Sequence, residues 1–120
     1  MADSWKQAVE ELEKAGVFTK QAPGKWAGKE GGHTPYITMN SEGSYTVVVN
    51  HGMTPGDEDK DDHYIEFVYV RNETGKIVGI QKFVPTDLVP TLTFTAAESS
   101  GALTPFAYCN LHGMWKGDSM

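Results

Sequence analysis

The chain contains a single cysteine in 120 residues, so no disulfide can form within it and the one sulfur is left free for metal or redox chemistry. Such sparing use of cysteine fits a reducing compartment. Basic residues are also scarce: 10 Lys and Arg stand against 16 Asp and Glu, for a formal net charge of −6. No basic stripe is available to track a phosphate backbone, which argues against nucleic acid as a partner. An anionic substrate would be repelled at long range unless a metal ion or a nearby lysine supplied positive charge locally. Long apolar runs are absent as well. The opening MADSWKQAVEELEKAG lacks a basic region followed by an apolar stretch, and no segment approaches the ~20 residues needed to span a bilayer. The expectation is a soluble, cytoplasmic protein with no membrane partner.

A chain of this length has room for one domain and one core, burying roughly two thirds of its unfolded surface. Between Ser4 and Ala15 the residues Trp5, Ala8, Val9, Leu12 and Ala15 recur at helical spacing, with Ser4 and Gln7 as a capping box and Gly16 as the stop. QAPGKWAGKEGGHTP is rich in glycine and predicts an irregular loop to about Thr34. Beyond it the pattern switches to period two: SYTVVVNH, HYIEFVYVR, KIVGIQKFV, TLTFTAAE and ALTPFAYC are β-branched and aromatic, separated by turn residues such as NETGK and ESSG. These features predict an all-β fold, an immunoglobulin-like antiparallel β-sandwich with a short N-terminal helix, in which residues 1–32 form a helix-and-loop extension and 33–120 the sandwich.

Two motifs are set aside on physical grounds. In DEDKDD, Asp57, Asp59 and Asp61 occupy the first, third and fifth positions of a calcium loop, but Asp62 replaces the glycine of the sharp turn and Val68 the bidentate glutamate. This run reads as a solvated loop. The sequon at Asn72 is one in form only, given no sign of secretion.

The histidines are more informative. Alternation places Tyr45, Val47, Val49 and His51 on one face of a strand, His63, Ile65, Phe67 and Tyr69 on one face of the next, and Leu103, Pro105, Ala107 and Cys109 on one face of a third. Each potential ligand ends a mostly apolar row, and such ends converge at one rim of a sandwich. There a loop carrying His33 and a turn carrying His112 can close around an ion. A Cys-x-x-His pair alone is a weak signal, but a soft thiolate with several imidazoles suits iron, copper or zinc better than calcium or magnesium.

CNLHGMWK, ending at Lys116, closely resembles the C-terminal Cys-Asn-x-His-Gly-x-Trp signature of superoxide reductases, the neelaredoxin and desulfoferrodoxin family. HYIEFVYV, NHGM and GGHTPYI resemble three further elements of that family, so the likeness runs from about Lys29 to Lys116 and uses all four histidines and the only cysteine. The resemblance implies a mononuclear iron centre with four equatorial imidazoles, from His33, His51, His63 and His112, and an axial thiolate from Cys109. It also implies one-electron reduction of superoxide to hydrogen peroxide at the position opposite sulfur, on a one-iron protein without the four-cysteine site of longer members. An external, rubredoxin-like carrier would then restore ferrous iron. The backbone amides of Asn110, Leu111 and His112 are placed to point at the sulfur and tune it. The family likeness further implies a homodimer or homotetramer, to which Trp5 and Trp26 would contribute contacts.

Three departures stand out. The family commonly has Glu-Lys directly before its first histidine, and this chain has Gly31 and Gly32 there. Lys29 and Glu30, two residues upstream, are the candidates to attract superoxide and to cap the iron, with the glycine pair as a flexible link. The spacing from His51 to His63 is long, with DEDKDD as the apparent insertion, and Gly52 stands in place of the family's proline. The rival metal reading is a cupredoxin-like blue-copper carrier using Cys109, His112, Met114 and one upstream histidine. A third reading is an immunoglobulin-like binding module that catalyses nothing.

Overall fold

A computed structural model describes residues 2–41, 43–96 and 101–120, the first four of these by backbone alone. Helix α1 (Ala2–Lys14) is followed by strand β1 (Val17–Phe18), a 3-10 turn (Gly24–Trp26) and a single helical turn α2 (Glu30–His33). Strands β2 (Pro35–Ser41), β3 (Ser44–Val49), β4 (Ile65–Arg71), β5 (Ile77–Lys82), β6 (Thr91–Thr95), β7 (Thr104–Cys109) and β8 (Gly113–Lys116) complete the described chain. They form two sheets, ordered β1-β8-β7-β4-β5 and β2-β3-β6. The fold is the expected immunoglobulin-like sandwich, antiparallel except for β1, which pairs parallel with β8.

Two apolar layers hold it together. Between the sheets, Val47, Val49, Ile65, Val68, Val70, Leu92, Leu103, Ala107 and Cys109 pack into the main core. On the outer face of the larger sheet, Tyr69, Phe106 and Met114 meet Val9 and Leu12 of α1. Glu13 pins that helix. Its carboxylate accepts two hydrogen bonds from Arg71, at 3.0 Å from Nε and 2.7 Å from Nη2, and a third from the Tyr69 hydroxyl. An ion pair this sheltered is costly to break from one side, because the surviving charge stays out of water.

The rows expected on β3 and β7 are present, but the row on β4 is not. Ile65 pairs with Cys109 and Phe67 with Tyr108, so β4 advances two residues while β7 advances one. This bulge at Glu66 swaps the faces. Ile65, Val68 and Val70 enter the main core, while Phe67 and Tyr69 turn outward under α1.

Other expectations need correction. Helix α1 begins at Ala2, so Ser4 lies within it rather than capping it. Gly16 does stop it, at φ +131, a conformation β-carbons disfavour. The loop to Thr34 is less irregular than its glycines suggest, because the Thr34 N–H and hydroxyl both donate to the Glu30 carbonyl, at 3.0 and 2.7 Å, and close α2 around the Gly31–Gly32 pair. Most of the ESSG turn and the side chain of Trp5 lie outside the described residues.

Candidate metal centre

All five metal-binding candidates sit at one rim of the sandwich, each delivered by a different local device. β3 ends at Val49, and His51 follows on a tight turn closed by its own N–H to the Val49 carbonyl at 2.9 Å. His63 lies two residues before β4 and is fixed by an isolated bridge in which it exchanges two 2.9 Å backbone hydrogen bonds with Thr54. Cys109 ends β7. The turn to β8 carries His112, and Gly113 reverses the chain at φ +82. His33 comes from α2, where its Nδ1–H donates to the Lys29 carbonyl at 2.8 Å and so turns Nε2 the other way.

The four imidazoles form a ring. In the order His33, His51, His63, His112, successive ring centroids are 4.6, 4.8, 5.0 and 4.8 Å apart and each meets the next edge-on, at 61° to 80°. Across the ring, His33 and His63 are 6.4 Å apart. Cys109 Sγ lies 3.8 Å from His51 Nε2 and 3.7 Å from His112 Nδ1. The ligand atoms of His33, His63, Cys109 and His112 all fall within 4.8 Å of one another, a group that does not include His51. Its Nδ1–H donates to the Gly52 carbonyl, leaving Nε2 for the sulfur side.

Two of these nitrogens, Nε2 of His33 and Nε2 of His63, are buried without a hydrogen-bond partner. A buried orphan costs roughly 1–3 kcal/mol, so a cluster of them marks a place made for something else. Titration points the same way. Burial lowers the pKa of His33 and His112 and brings that of His51 to about 4, with neighbouring imidazoles adding to the effect. All three are therefore neutral at pH 7, the state in which imidazole binds a cation. Burial raises the Cys109 thiol, while the backbone N–H groups of Leu111 and His112 pull it back. Without a cation this thiol keeps its proton; beside one it gives it up.

Asn110 does not aim its amide at the sulfur as expected. Its N–H donates to the Tyr64 carbonyl at 3.2 Å, its side-chain carbonyl accepts from the Tyr64 N–H at 3.0 Å, and its amide nitrogen donates to the Asp62 carbonyl at 2.7 Å. Asn110 thus clamps the segment carrying His63 to the turn carrying Cys109.

Lys29 is exposed, and its charge acts on the centre, helping to lower His33 and His112. The Glu30 carboxylate is engaged elsewhere, accepting from the Gly28 N–H at 2.8 Å. In the acidic loop Asp57 caps the N–H groups of Asp59 and Lys60, and Asp62 accepts from Gly56 at 2.6 Å, so these carboxylates close the loop on itself. Met114 is no candidate copper ligand: its sulfur lies on the α1 side of the sheet, 3.7 Å from the Tyr69 hydroxyl.

Two tryptophans to which the sequence reading gave no role in the site line it, although one of them, Trp115, ends the C-terminal signature. Trp115 is fully buried, packs on His33 at 5.4 Å between centroids, and donates from Nε1 to the His112 carbonyl at 3.0 Å. Trp26 meets His112 edge-on at 4.7 Å. The position of Trp115, three residues after His112, was a usable signal; nothing in the spacing around Trp26 was.

Residues 24–118 match the family model described as Desulfoferrodoxin. A desulfoferrodoxin of Clostridium acetobutylicum is 35% identical over 88 residues, which cover 72% of this chain but only 61% of that protein. Among solved structures, the superoxide reductase (neelaredoxin) of Ignicoccus hospitalis superposes with a TM-score of 0.61 at 26% identity, covering 92% of this chain and 95% of that one. The superoxide reductase of Treponema pallidum gives 0.60 at 28% identity, over 77% and 69% of the two chains.

Proposed function

The chain belongs to the desulfoferrodoxin family, and from that premise and the geometry of the centre we propose that it is a superoxide reductase with one iron per chain. The residues that would hold the iron are His33, His51 and His63 through Nε2, His112 through Nδ1, and Cys109 through sulfur. Iron bound there supplies the redox chemistry: superoxide, one electron and two protons give hydrogen peroxide, and a small rubredoxin-like carrier returns the electron. The cytoplasm, where single thiols stay reduced, is the location this reading implies.

The protein's own groups do the rest. Four neutral imidazoles and one thiolate leave a divalent ion with a net local charge of about +1, an attractive spot for a small anion on an acidic protein. Lys29 adds to that field from the surface. The N–H groups of Leu111 and His112 stabilise the ionised sulfur, and Trp115 keeps water from the inner side of His33. Asn110 and Thr54 hold His63 in place through backbone groups.

The observation that carries this reading is the ring of four imidazoles closing on a cysteine sulfur, with two buried nitrogens unpartnered. Its test is product counting. Iron-loaded, pre-reduced protein exposed to a pulse of superoxide should yield one peroxide per superoxide and no oxygen. Oxygen evolution with half the peroxide would indicate dismutation and overturn it.

A further inference from the structure

Phe18, Lys25, Trp26, Leu111, Gly113 and Met114 are among the residues lining a groove of about 260 Å³ beside the centre. It reaches the centre at two points. Trp26 meets His112 edge-on, and Leu111 stands on the turn between Cys109 and His112, 43% exposed. A leucine left in water over an aromatic groove, next to two of the proposed ligands, is apolar surface that a partner would cover.

The local charge is opposite to that of the whole chain. Residues 17–33 carry three of the ten basic residues and only one of the sixteen acidic ones, in a protein of net charge −6. Lys20 is paired with Asp118 at 3.1 Å, and Glu30 is engaged by the Gly28 N–H. Lys25 lies over the Trp26 ring, 5.1 Å from its centroid, and neither it nor Lys29 has an acidic partner among the described residues. No acidic side chain lines the groove.

We propose that this groove is the docking surface for a small acidic one-electron carrier, whose redox centre comes to rest against Leu111 and Trp26 and whose electron enters on the His112 side. The proposal rests on the redox reading given above. In the step itself the reduced carrier loses one electron and the oxidised centre gains it, with no bond made or broken. Lys25 and Lys29 steer and orient the acidic partner, while Leu111 and the Trp26 face supply the apolar contact at the middle of the patch.

The test uses iron-loaded full-length protein in its oxidised state, mixed in a stopped-flow instrument with reduced rubredoxin as the probe. For Lys25→Glu the second-order rate of reduction falls by at least about tenfold at low ionic strength, and the gap closes at high salt. For Leu111→Ser the rate falls at all salt concentrations. Zinc-loaded rubredoxin, which passes no electron, shifts the amide resonances of Phe18, Trp26 and Leu111. Wild-type reduction rates in both variants, or resonance shifts confined to another face, overturn the proposal. The two readings fail separately: a pre-reduced wild-type protein that forms no peroxide from superoxide overturns the function, whereas normal peroxide formation with an unaltered carrier rate in Lys25→Glu overturns the docking surface alone.

Discussion

His33 and His63 face each other across the centre, their rings 6.4 Å apart and inclined by only 28°, and the buried Nε2 of each has no hydrogen-bond partner. This pair is a liability for folding and an asset for binding. Desolvated nitrogens left unpaired cost roughly 1–3 kcal/mol apiece, and a bound cation removes that cost while adding its own affinity for the folded state.

Metal loading should therefore stabilise the protein, the gain rising with the logarithm of free iron above the dissociation constant. His63→Leu is expected to reverse the relation: the metal-free variant melts above the metal-free wild type, yet gains nothing from iron. Calorimetry of both proteins with and without ferrous iron checks this. An equal gain from iron in both would exclude His63 as a ligand.

Asn110 joins two ligand-bearing segments through one backbone and two side-chain hydrogen bonds. Asn110→Ala removes the two side-chain bonds and leaves the Tyr64 N–H and the Asp62 carbonyl without that partner, a loss of roughly 2–3 kcal/mol. Urea titration should show the loss, and the iron-loaded variant should show a shifted optical spectrum as His63 loosens. A spectrum and midpoint equal to wild type would remove the clamp.

Metal-free protein should weaken on mild acidification. An unfolded histidine takes up its proton near pH 6.5, whereas His51 in the fold resists to about pH 4. Between these values the unfolded chain binds more protons, so lowering the pH favours unfolding. The contribution is complete above about pH 6.5 and gone below about pH 4, and His33 and His112, shifted the same way, add to it. Urea midpoints of the metal-free protein across this range measure the slope, which cannot exceed about 1.4 kcal/mol per pH unit for each histidine. A flat profile would mean these rings are solvated.

Much of the site was legible before the fold, and the gaps have physical causes. Cys109 ends an uninterrupted period-two row, and His51, just beyond the row on β3, reaches the same rim on a tight turn that alternation does not describe. His63 also reached the rim, but its row was assembled wrongly because a bulge at Glu66 adds one residue that a period-two pattern cannot register. Strands β1, β2 and β8 escaped notice: β1 and β8 are short and β1 finds its partner almost a hundred residues away, while β2 is a mostly exposed edge strand with no apolar row to mark it. The helical turn α2 was hidden by two glycines, which local propensity counts against a helix; the Thr34 bonds to Glu30 decide the matter instead. Trp26 reached His112 through tertiary packing that no local pattern encodes.

Lys29 offers a further check on how the anion is drawn in. Its ammonium influences His33, Cys109 and His112 in concert, so Lys29→Ala should slow the second-order reaction with superoxide several-fold at low salt, and less at high salt. Pulse radiolysis at two ionic strengths measures it. An unchanged rate at low salt would mean that the centre's own charge does all the steering.

The most direct test of the account is X-ray absorption at the iron edge of the loaded protein. Four nitrogen neighbours and one sulfur around a single iron are the predicted shell, with the sulfur contribution lost in Cys109→Ser. A shell without sulfur in the wild-type protein, or one unchanged by that substitution, would contradict the assignment of these five side chains.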